Sequence, residues 1–371
     1  MFDSLLIANR GEIARRVIRT ATRLGIRTVA VYSDADAGLP FVAEADDAIR
    51  IGPPAPGESY LDAAAVLAAA KESGASAIHP GYGFLSENAD FAEAVGYAGL
   101  IWVGPSPESI RSMGDKIEAR NLMASAGVPV APGSGEPVAD GADALRWAER
   151  IGYPVMVKAA GGGGGIGMAP AADPDALLAA FETARSRAER FFSNGGILLE
   201  RFVPAARHVE VQILGLADGR VVAVGDRDCS VQRRHQKLVE EGPATGLDEA
   251  QRDRIRQAAV LAGEAVDYRG AGTVEMLLDR ERGDAWFLEM NTRLQVEHPV
   301  TEETTGLDLV EQQLLIAAGC EPTFDADNPP ETAGHAIEFR VCAEDPRRFL
   351  PGPGEITEWV EPSGVGIRVD A

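Results

Sequence analysis

The amino-acid sequence predicts an α/β fold of two or three domains, and three observations support this. The first segment alternates between short apolar strands and an amphipathic helix, an order that is typical of a parallel sheet. Two strand-like runs, residues 272–279 and 284–301, are separated by a turn and indicate an antiparallel hairpin. With 371 residues, of which 45% are hydrophobic, the chain can bury a large core.

Composition and charge exclude several classes of protein. Acidic residues outnumber basic ones by 57 to 35, and the formal net charge of −22 argues against a nucleic-acid partner or an anionic membrane surface. The three cysteines form no C-x-x-C pair, and no apolar run reaches the length of a signal peptide or a membrane span. We therefore expect a cytoplasmic protein with reduced thiols, in which any anion site is local.

The first predicted domain is a βαβ unit that continues to about residue 112. Residues 4–8 and 27–32 are predicted strands, and residues 12–24 are a predicted helix between them. Gly11 follows the first strand, but the sequence has no G-x-G-x-x-G there, so a dinucleotide site is not indicated. His79 opens the turn-rich run H-P-G-Y-G-F-L-S-E-N, and on its own it is best interpreted as a structural histidine.

The middle of the chain carries a lysine-bearing strand that leads into a glycine loop. Lys116 begins a predicted helix, and a predicted strand ends at Lys158, shortly before the five glycines 161–165. Because glycine has no side chain, the N–H groups of such a loop can approach phosphate oxygens. A flexible linker is the alternative, and the missing G-K-[ST] excludes a P-loop.

The densest basic stretch of this acidic protein lies at residues 227–241. If it is extended, His235 and Lys237 share one face, where they could contact an anion. A solvated basic surface is the alternative interpretation.

The predicted hairpin places Glu275 opposite, or nearly opposite, Glu289. Two facing carboxylates repel each other, and with the Asn291 amide they form a set of hard oxygen ligands that suits Mg²⁺. If residues 284–301 form one extended strand, Arg293 and Glu297 lie on the same face, where Arg293 could hold a small anion and Glu297 could act as a base. An ordinary amphipathic strand with a solvated face is the alternative.

A last strand is predicted within residues 334–345, after a helix at 305–319. It places Glu338 and Arg340 on one face. These two residues could form a structural cross-strand pair, or Arg340 could act in the active site.

Several of these motifs together resemble one enzyme family. The run E-M-N-T-R-L-Q-V-E-H-P at 289–299, preceded by Glu275, is similar to the signature of biotin carboxylases of the ATP-grasp superfamily, and I-A-N-R-G-E-I-A at 7–14 and the run from His79 are similar to their N-terminal domain. The resemblance implies an ATP-grasp fold at 113–330, with a glycine-rich lid at about 131–203. It implies a Rossmann-like parallel α/β domain before it at 1–112, and the start of a mixed, incomplete C-terminal domain at 331–371.

The resemblance also implies roles for individual residues. The catalytic residues would be Glu297 as the base for bicarbonate, Arg293, Arg340 and Lys237, and the metal ligands for Mg²⁺ or Mn²⁺ would be Glu275, Glu289 and Asn291. Bicarbonate would be held by Arg293, Gln295 and Val296, and the enolate of biotin by Arg340. The residues implied at ATP are Lys116, Lys158, Gly163, Gly164, Gly165, Glu200, Arg201, Val203, His208, Gln232, His235, Glu275 and Glu289.

The implied activity is ATP- and bicarbonate-dependent carboxylation of biotin through carboxyphosphate, the first half-reaction of an acyl-CoA carboxylase. The implied partners are a biotin carboxyl carrier, a carboxyltransferase subunit and a second copy of the chain in a dimer, with no nucleic acid and no membrane. Alternatives are the corresponding part of a pyruvate or urea carboxylase, another ATP-grasp ligase, or a non-catalytic nucleotide-binding or assembly subunit.

The sequence departs from the family at three positions. The family usually has a basic residue where Ile166 stands, an arginine where Ala169 stands and a lysine where Arg201 stands. The substitutions at Ile166 and Ala169 remove positive charge beside the phosphates, so weaker binding of ATP by the lid is expected. Family members also continue beyond residue 371, and no M-K-M biotinyl-attachment motif occurs, so the biotin acceptor is expected elsewhere.

Overall fold

The computed structural model describes residues 1–159, 168–191, 196–352 and 354–371. In these residues the strands form a five-stranded, a three-stranded and a six-stranded sheet. No helix in the described ranges is both long enough and apolar enough to cross a membrane. The strands are β1 Ser4–Ile7, β2 Arg27–Ser33, β3 Asp47–Gly52, β4 Ala77–His79, β5 Ile101–Trp102, β6 Val155–Ala159, β7 Met168–Ala171, β8 Ile197–Arg201, β9 Ala206–Gly215, β10 Val221–Arg233, β11 Gln236–Gly242, β12 Gly270–Asp279, β13 Ala285–Asn291 and β14 Ala336–Phe339.

The helices lie mostly between strands, as in an α/β protein, and a short 3₁₀ turn spans Pro56–Glu58. They are α1 Gly11–Arg23, α2 Pro40–Glu44, α3 Ala63–Ser73, α4 Ala89–Tyr97, α5 Pro107–Gly114, α6 Lys116–Ser125, α7 Gly141–Ile151, α8 Pro174–Phe191, α9 Glu249–Glu264, α10 His298–Thr305 and α11 Leu309–Ala317.

The five-stranded sheet at the N-terminus is parallel, with the strand order β3-β2-β1-β4-β5. The βαβ prediction is therefore confirmed, with boundaries that differ by one residue. The Asn9 side chain donates to the backbone carbonyls of Pro80, at 2.8 Å, and Tyr82, at 2.7 Å. These bonds join the chain leaving β1 to the chain leaving β4. His79 is fully buried between Gln313 and the N–H of Gly81, as expected for a structural histidine.

The three-stranded antiparallel sheet, in the order β7-β6-β8, packs against α7 and α8. Its core is made of residues from this part of the chain alone, including Leu177, Phe181 and Leu199. We call residues 138–201, which include this sheet and both helices, the lid unit. The predicted glycines Gly163, Gly164 and Gly165, and Ile166, lie outside the described residues.

The six-stranded sheet is antiparallel and has the strand order β13-β12-β9-β10-β11-β14. Strand β14 forms one edge of this sheet. It pairs with β11 so that Val239 lies opposite Phe339 and Glu240 lies opposite Glu338. The strand predicted within residues 334–345 therefore exists, but it is short and extends this sheet. The five-stranded parallel sheet packs against this six-stranded sheet through one apolar core that includes Leu5, Ile7 and Leu214.

The prediction of one extended strand over residues 284–301 is wrong. The strand ends at Asn291, which is paired with Thr273. A turn follows in which the His298 N–H donates to the Gln295 carbonyl at 3.2 Å, and Pro299 then stands in the first turn of α10. Proline favours this position because its fixed φ suits a helix start and its missing N–H would have no partner there.

Candidate active site

The charged centre of the molecule is built around the ammonium group of Lys237 on β11. Its Nζ donates to Oε2 of Glu210 at 2.5 Å, to Oε1 of Glu275 at 2.8 Å and to Oε1 of Glu297 at 2.7 Å. Burial opposes the charge of this ammonium, but the three carboxylates outweigh burial and raise the pKa of Lys237 above its usual value. The site therefore keeps a fixed cation among three carboxylates.

Glu210, which binds Lys237, and its partner Arg227 are both fully buried. They lie opposite each other on β9 and β10, and Arg227 Nε donates to Glu210 Oε1 at 2.6 Å. Arg227 also donates to side-chain oxygens of Gln212, Thr301, Thr273 and Gln295. Burial opposes ionisation of Glu210, but Lys237 and Arg227 lower its pKa to about 2.

Sequence reasoning did not identify Glu210 as a site residue. Its only local signal is a charged residue inside the apolar run of β9, between Val209 and Val211, and a single such residue in a strand is not specific. Its importance comes from the register, because Glu210 lies opposite both Arg227 on β10 and Glu275 on β12.

The hairpin of β12 and β13 brings Glu275 directly opposite Glu289, as the sequence predicts. Glu275 accepts hydrogen bonds from Asn291 at 2.8 Å and Gln295 at 3.1 Å, and it forms an ion pair with His208 at 2.8 Å. Burial and then the facing Glu275 raise the pKa of Glu289, which is partly opposed by Lys116 and Lys237. Glu275 is buried and already paired with Lys237 and His208, so the half-buried Glu289 is the carboxylate that a further positive charge would stabilise.

The residues present here fit a divalent cation. Glu275, Glu289 and Asn291 offer hard oxygen atoms, and the raised pKa of Glu289 reports a carboxylate that another positive charge would stabilise. A cavity of about 340 Å³ lies beside them and is lined in part by Lys116, Glu289, Asn291 and Arg293.

His208 and His235 occupy different environments. His208 Nδ1 contacts Gln232 Nε2 at 2.9 Å, and its Nε2 lies 2.8 Å from Glu275. Burial lowers the pKa of His208, but Glu275 more than compensates, so the pKa is raised. His235 instead lies exposed in the turn between β10 and β11, with a φ of 66°. The prediction that His235 and Lys237 share a face of an extended segment is wrong, because the turn reverses the chain between β10 and β11.

The lid unit contributes a second basic site, where Lys158 on β6 contacts Glu200 on β8. Arg120 Nε approaches the same carboxylate at 3.8 Å. Arg201 donates from Nη2 to the Ile151 carbonyl at 2.6 Å, so its side chain points away from Glu200. Val203 is buried beside Ala131 and Trp286.

Glu297 is held from two sides. Its Oε1 accepts from Lys237, and its Oε2 accepts from Arg340 Nη2 at 2.8 Å. Arg340 also donates from Nε to Glu240 at 2.7 Å. Because Glu297 is 2% exposed and lies at the N-terminus of α10, its carboxylate has a fixed position.

The predicted bicarbonate ligands Gln295, Arg293 and Val296 occupy different positions. Gln295 accepts from Arg227 at 3.2 Å and donates to Glu275, so it belongs to the Lys237 centre. Arg293 lies further out, where its Nη2 donates to Asn291 at 3.1 Å and its Nε is 3.1 Å from Glu87. Val296 is half-buried between Gln295 and Glu297.

Comparison with known proteins identifies the family. A family model described as the N-terminal domain of biotin carboxylase matches residues 1–110, and one described as the ATP-binding domain of the carbamoyl-phosphate synthase L chain matches residues 115–323. The biotin carboxylase of Halalkalibacterium halodurans is 54% identical over 368 residues, which cover 99% of this chain and 81% of that protein. The chain belongs to the biotin carboxylase family.

Solved structures of biotin carboxylases show the same fold. The biotin carboxylase-beta-gamma-ATP complex from Campylobacter jejuni has a TM-score of 0.93 and 46% identity, over 98% of this chain and 81% of that one. The biotin carboxylase domain dimer of Hydrogenobacter thermophilus 2-oxoglutarate carboxylase, with MgADP, ADP and bicarbonate, has a TM-score of 0.93 and 44% identity, over 100% of this chain and 81% of that one. The ATP-grasp prediction is therefore confirmed, and biotin carboxylases are ATP-dependent ligases that form a carbon–nitrogen bond.

Proposed function

We propose that this biotin carboxylase transfers a carboxyl group from bicarbonate to biotin on a carrier domain or protein, with ATP as the energy source, as the first half-reaction of an acyl-CoA carboxylase. The observation that carries this proposal is the fixed Glu297 carboxylate between Lys237 and Arg340. A base and two cations at one point suit a reaction that removes a proton from a small anion and then stabilises new negative charge.

In the proposed first step, bicarbonate is held by Arg293, Gln295 and the backbone of Val296, and Glu297 removes its proton. The bicarbonate oxygen then attacks the γ-phosphorus of ATP, the bond to the ADP oxygen breaks, and carboxyphosphate forms. Lys237 lies 2.7 Å from Glu297 and would neutralise charge on the transferred group.

The nucleotide would lie between the lid unit and the six-stranded sheet. Lys116, Lys158, His208, Gln232 and His235 are the proposed polar contacts, with the lid glycines Gly163, Gly164 and Gly165 over the phosphates. Glu200, Arg201 and Val203 are the proposed contacts of the base and ribose. The contact between Lys158 and Glu200 supports this proposal, because both side chains already face the same side of the lid sheet.

Glu275, Glu289 and Asn291 would hold Mg²⁺ or Mn²⁺ together with phosphate oxygens. Such an ion, when bound, neutralises charge on the transferred phosphoryl group. His208, Asn291 and Gln295 fix the Glu275 carboxylate with hydrogen bonds and an ion pair, so this chain orients the ligand before any ion arrives.

In the proposed second step, carboxyphosphate breaks down to carbon dioxide and phosphate. The phosphate takes the N1 proton of biotin, and the resulting enolate, stabilised by Arg340, attacks carbon dioxide. The biotin would arrive on a carboxyl carrier, and a carboxyltransferase subunit would use the product. We also propose that the chain acts as a dimer within this complex.

A keto-acid carboxylase is the second candidate for the whole system. The structural neighbour from Hydrogenobacter thermophilus is a domain of a 2-oxoglutarate carboxylase, and it matches this chain as well as the Campylobacter jejuni enzyme does. The first half-reaction is the same in both candidates. The acceptor is chosen by the carboxyltransferase partner.

The test is ADP release by the purified chain with Mg-ATP, with and without bicarbonate and free biotin. We expect turnover that requires bicarbonate and rises with biotin. Glu297→Gln should lower it by about 10²- to 10⁴-fold, the usual contribution of a general base. Glu303→Gln, an exposed residue of the same helix, is the control and should retain the rate. Bicarbonate-independent turnover that survives Glu297→Gln would refute the proposal.

A further inference from the structure

Two carboxyl groups face each other across the edge of the six-stranded sheet, beside Arg340. The pairing of β11 with β14 puts Glu240 directly opposite Glu338. Glu240 is fully buried, and its Oε1 accepts from Arg340 Nε at 2.7 Å. Oε2 of Glu240 and Oε2 of Glu338 are both buried and have no hydrogen-bond partner among the described residues.

The charges around this pair do not balance if every carboxyl is ionised. Arg340 is shared by Glu240, Glu338 and Glu297. Glu210 and Arg227 also act on the pair, and they bind each other at 2.6 Å. Lys237, on the same strand as Glu240, binds Glu210 and Glu297. Glu297 thus also has Lys237 at 2.7 Å, whereas Glu240 and Glu338 depend on the shared Arg340 guanidinium for their positive charge. Like charges directly opposite each other in a sheet are destabilising, and a buried oxygen without a donor adds a further cost.

A single proton resolves both problems. A protonated carboxyl can donate a hydrogen bond, and it removes one negative charge from the pair. Burial, and then Glu240 and Glu297, raise the pKa of Glu338 to about 9. Burial raises the pKa of Glu240 to about 7, although Arg340 opposes this. Since Glu338 holds a proton more strongly, the proton remains in the pair at neutral pH and is lost in alkaline solution.

We propose that Glu240 and Glu338 share one proton and that this pair positions the guanidinium of Arg340 for the biotin half of the reaction. The inference rests on the proposed function of Arg340. While the pair carries one negative charge, Glu240 holds Arg340 Nε and leaves Nη2 directed at Glu297. Loss of the proton places a second negative charge beside the point where the enolate charge develops, and the biotin step slows.

The first test compares pH profiles of biotin-dependent turnover for the wild type and Glu338→Gln. In the wild type, kcat/KM for biotin should fall between about pH 7.5 and about pH 10, by roughly tenfold more than bicarbonate-dependent ATP hydrolysis measured without biotin. The Glu338→Gln amide cannot ionise, so this additional fall should disappear. If Glu338→Gln shows the same fall as the wild type, the proposal is wrong.

Two further variants separate positioning from a structural effect. Glu338→Asp keeps a carboxyl group and should restore the additional alkaline fall. Glu241→Gln is the matched control, because Glu241 is the next residue on β11 and binds His335 at 2.7 Å rather than Arg340. Its profile should follow that of the wild type. A profile of Glu241→Gln like that of Glu338→Gln would show a general effect of surface charge and overturn the proposal.

An infrared measurement tests the proton directly, whether or not biotin is turned over. The wild type and Glu338→Asp should lose absorbance of the protonated carboxyl C=O stretch between about pH 7.5 and about pH 10, and Glu338→Gln should lack that component. If the wild type shows no biotin-dependent turnover at any pH, the proposed function fails, and the infrared result alone decides on the shared proton. Identical difference spectra for the wild type and Glu338→Gln would overturn it.

Discussion

Lys237 shows how a single residue organises charge in this protein. Its ammonium contacts three carboxylates that come from β9, β12 and the start of α10. None of these contacts is local in sequence, and each carboxylate has at least one other donor. Truncation of Lys237 would remove the positive charge that these three buried carboxylates share, and the remaining donors do not replace it, so the cost exceeds the loss of the hydrogen bonds alone. The chemistry and the stability of this centre are coupled.

Glu12 gives a prediction of pH-dependent stability at the residue scale. Burial and then the nearby Asp370 raise the pKa of Glu12 to about 7, against opposition from Arg19, Arg16 and Arg368. A carboxyl with a raised folded-state pKa destabilises the protein as the pH rises from its unfolded pKa through its folded one. Glu12→Gln should thus stabilise the protein by about 3 kcal/mol at pH 8 and have little effect near pH 4.5.

The measurement is urea unfolding of Glu12→Gln and the wild type at both pH values. Glu72→Gln, an exposed position on α3, serves as the control and should change stability little at either pH. An equal gain of stability for Glu12→Gln at both pH values would contradict the assignment to ionisation.

The hairpin of β10 and β11 shows how an element places functional groups. Its turn consists of Arg234 and His235, with φ values of 53° and 66°. Asparagine and glycine are usual in a two-residue turn with two positive φ values, so the backbone at Arg234 and His235 is strained. The turn reverses the chain between β10 and β11, so Lys237 can reach the buried carboxylates while His235 remains exposed.

The N-terminus of α11 gives a prediction at the scale of elements. Asp308 caps this helix by accepting from the Glu311 N–H at 2.9 Å, and it also binds Arg16 at 2.8 Å and Arg23 at 2.7 Å on α1. Asp308→Asn keeps the cap but loses the charge, and it should cost about 1–2 kcal/mol because the buried Arg16 loses one of its two carboxylates. Asp308→Ala should cost about 1 kcal/mol more.

Urea unfolding of both variants provides the test. Asp62, which caps α3 and, within the described part of the chain, accepts only from the N–H groups of Ala64 and Ala65, is the matched control. Asp62→Asn should be nearly neutral, whereas Asp62→Ala should cost about 1 kcal/mol. If Asp308→Asn is as neutral as Asp62→Asn, the link from α1 to α11 does not contribute to stability.

At the scale of the whole molecule, the apolar cores divide the chain differently from the predicted boundaries. One core joins the parallel sheet to the six-stranded sheet, whereas the lid unit has a core of its own. We propose that residues 1–112 and 113–330 are distinct domains that unfold together apart from the lid. We also propose that residues 331–371 begin a third domain, although β14 extends the six-stranded sheet.

This arrangement predicts two different unfolding units. Phe181→Ala should remove about 3–5 kcal/mol from the lid core, and Leu214→Ala about 2–5 kcal/mol from the shared core. In native-state hydrogen exchange, Phe181→Ala should lower protection in β6 and β8 and leave β1 and β9 unchanged. Leu214→Ala is the counterpart and should lower protection in β1 and β9 together. Equal loss of protection in β1 for Phe181→Ala would disprove the separation.

The sequence by itself determined the features that depend on local order. Alternation of strand and helix indicated the parallel sheet, and the short turn between β12 and β13 set Glu275 opposite Glu289. Pro299 also marks a helix start at residue 298, but the alternation of polar and apolar residues around it led to the wrong prediction of a long strand. The run from Glu289 to Glu297 was sufficient to indicate the family.

Only the tertiary structure decided which distant side chains meet. Glu210 and Arg227 join the site because β9 and β10 are central strands, and Glu240 faces Glu338 because β14 pairs with β11. Strand order and register between distant segments follow from packing of the whole core, and no periodicity within a single segment reports them. Burial then shifts the pKa values of the side chains that come together, because the free-energy cost of a charge depends on how much water the complete fold removes from it.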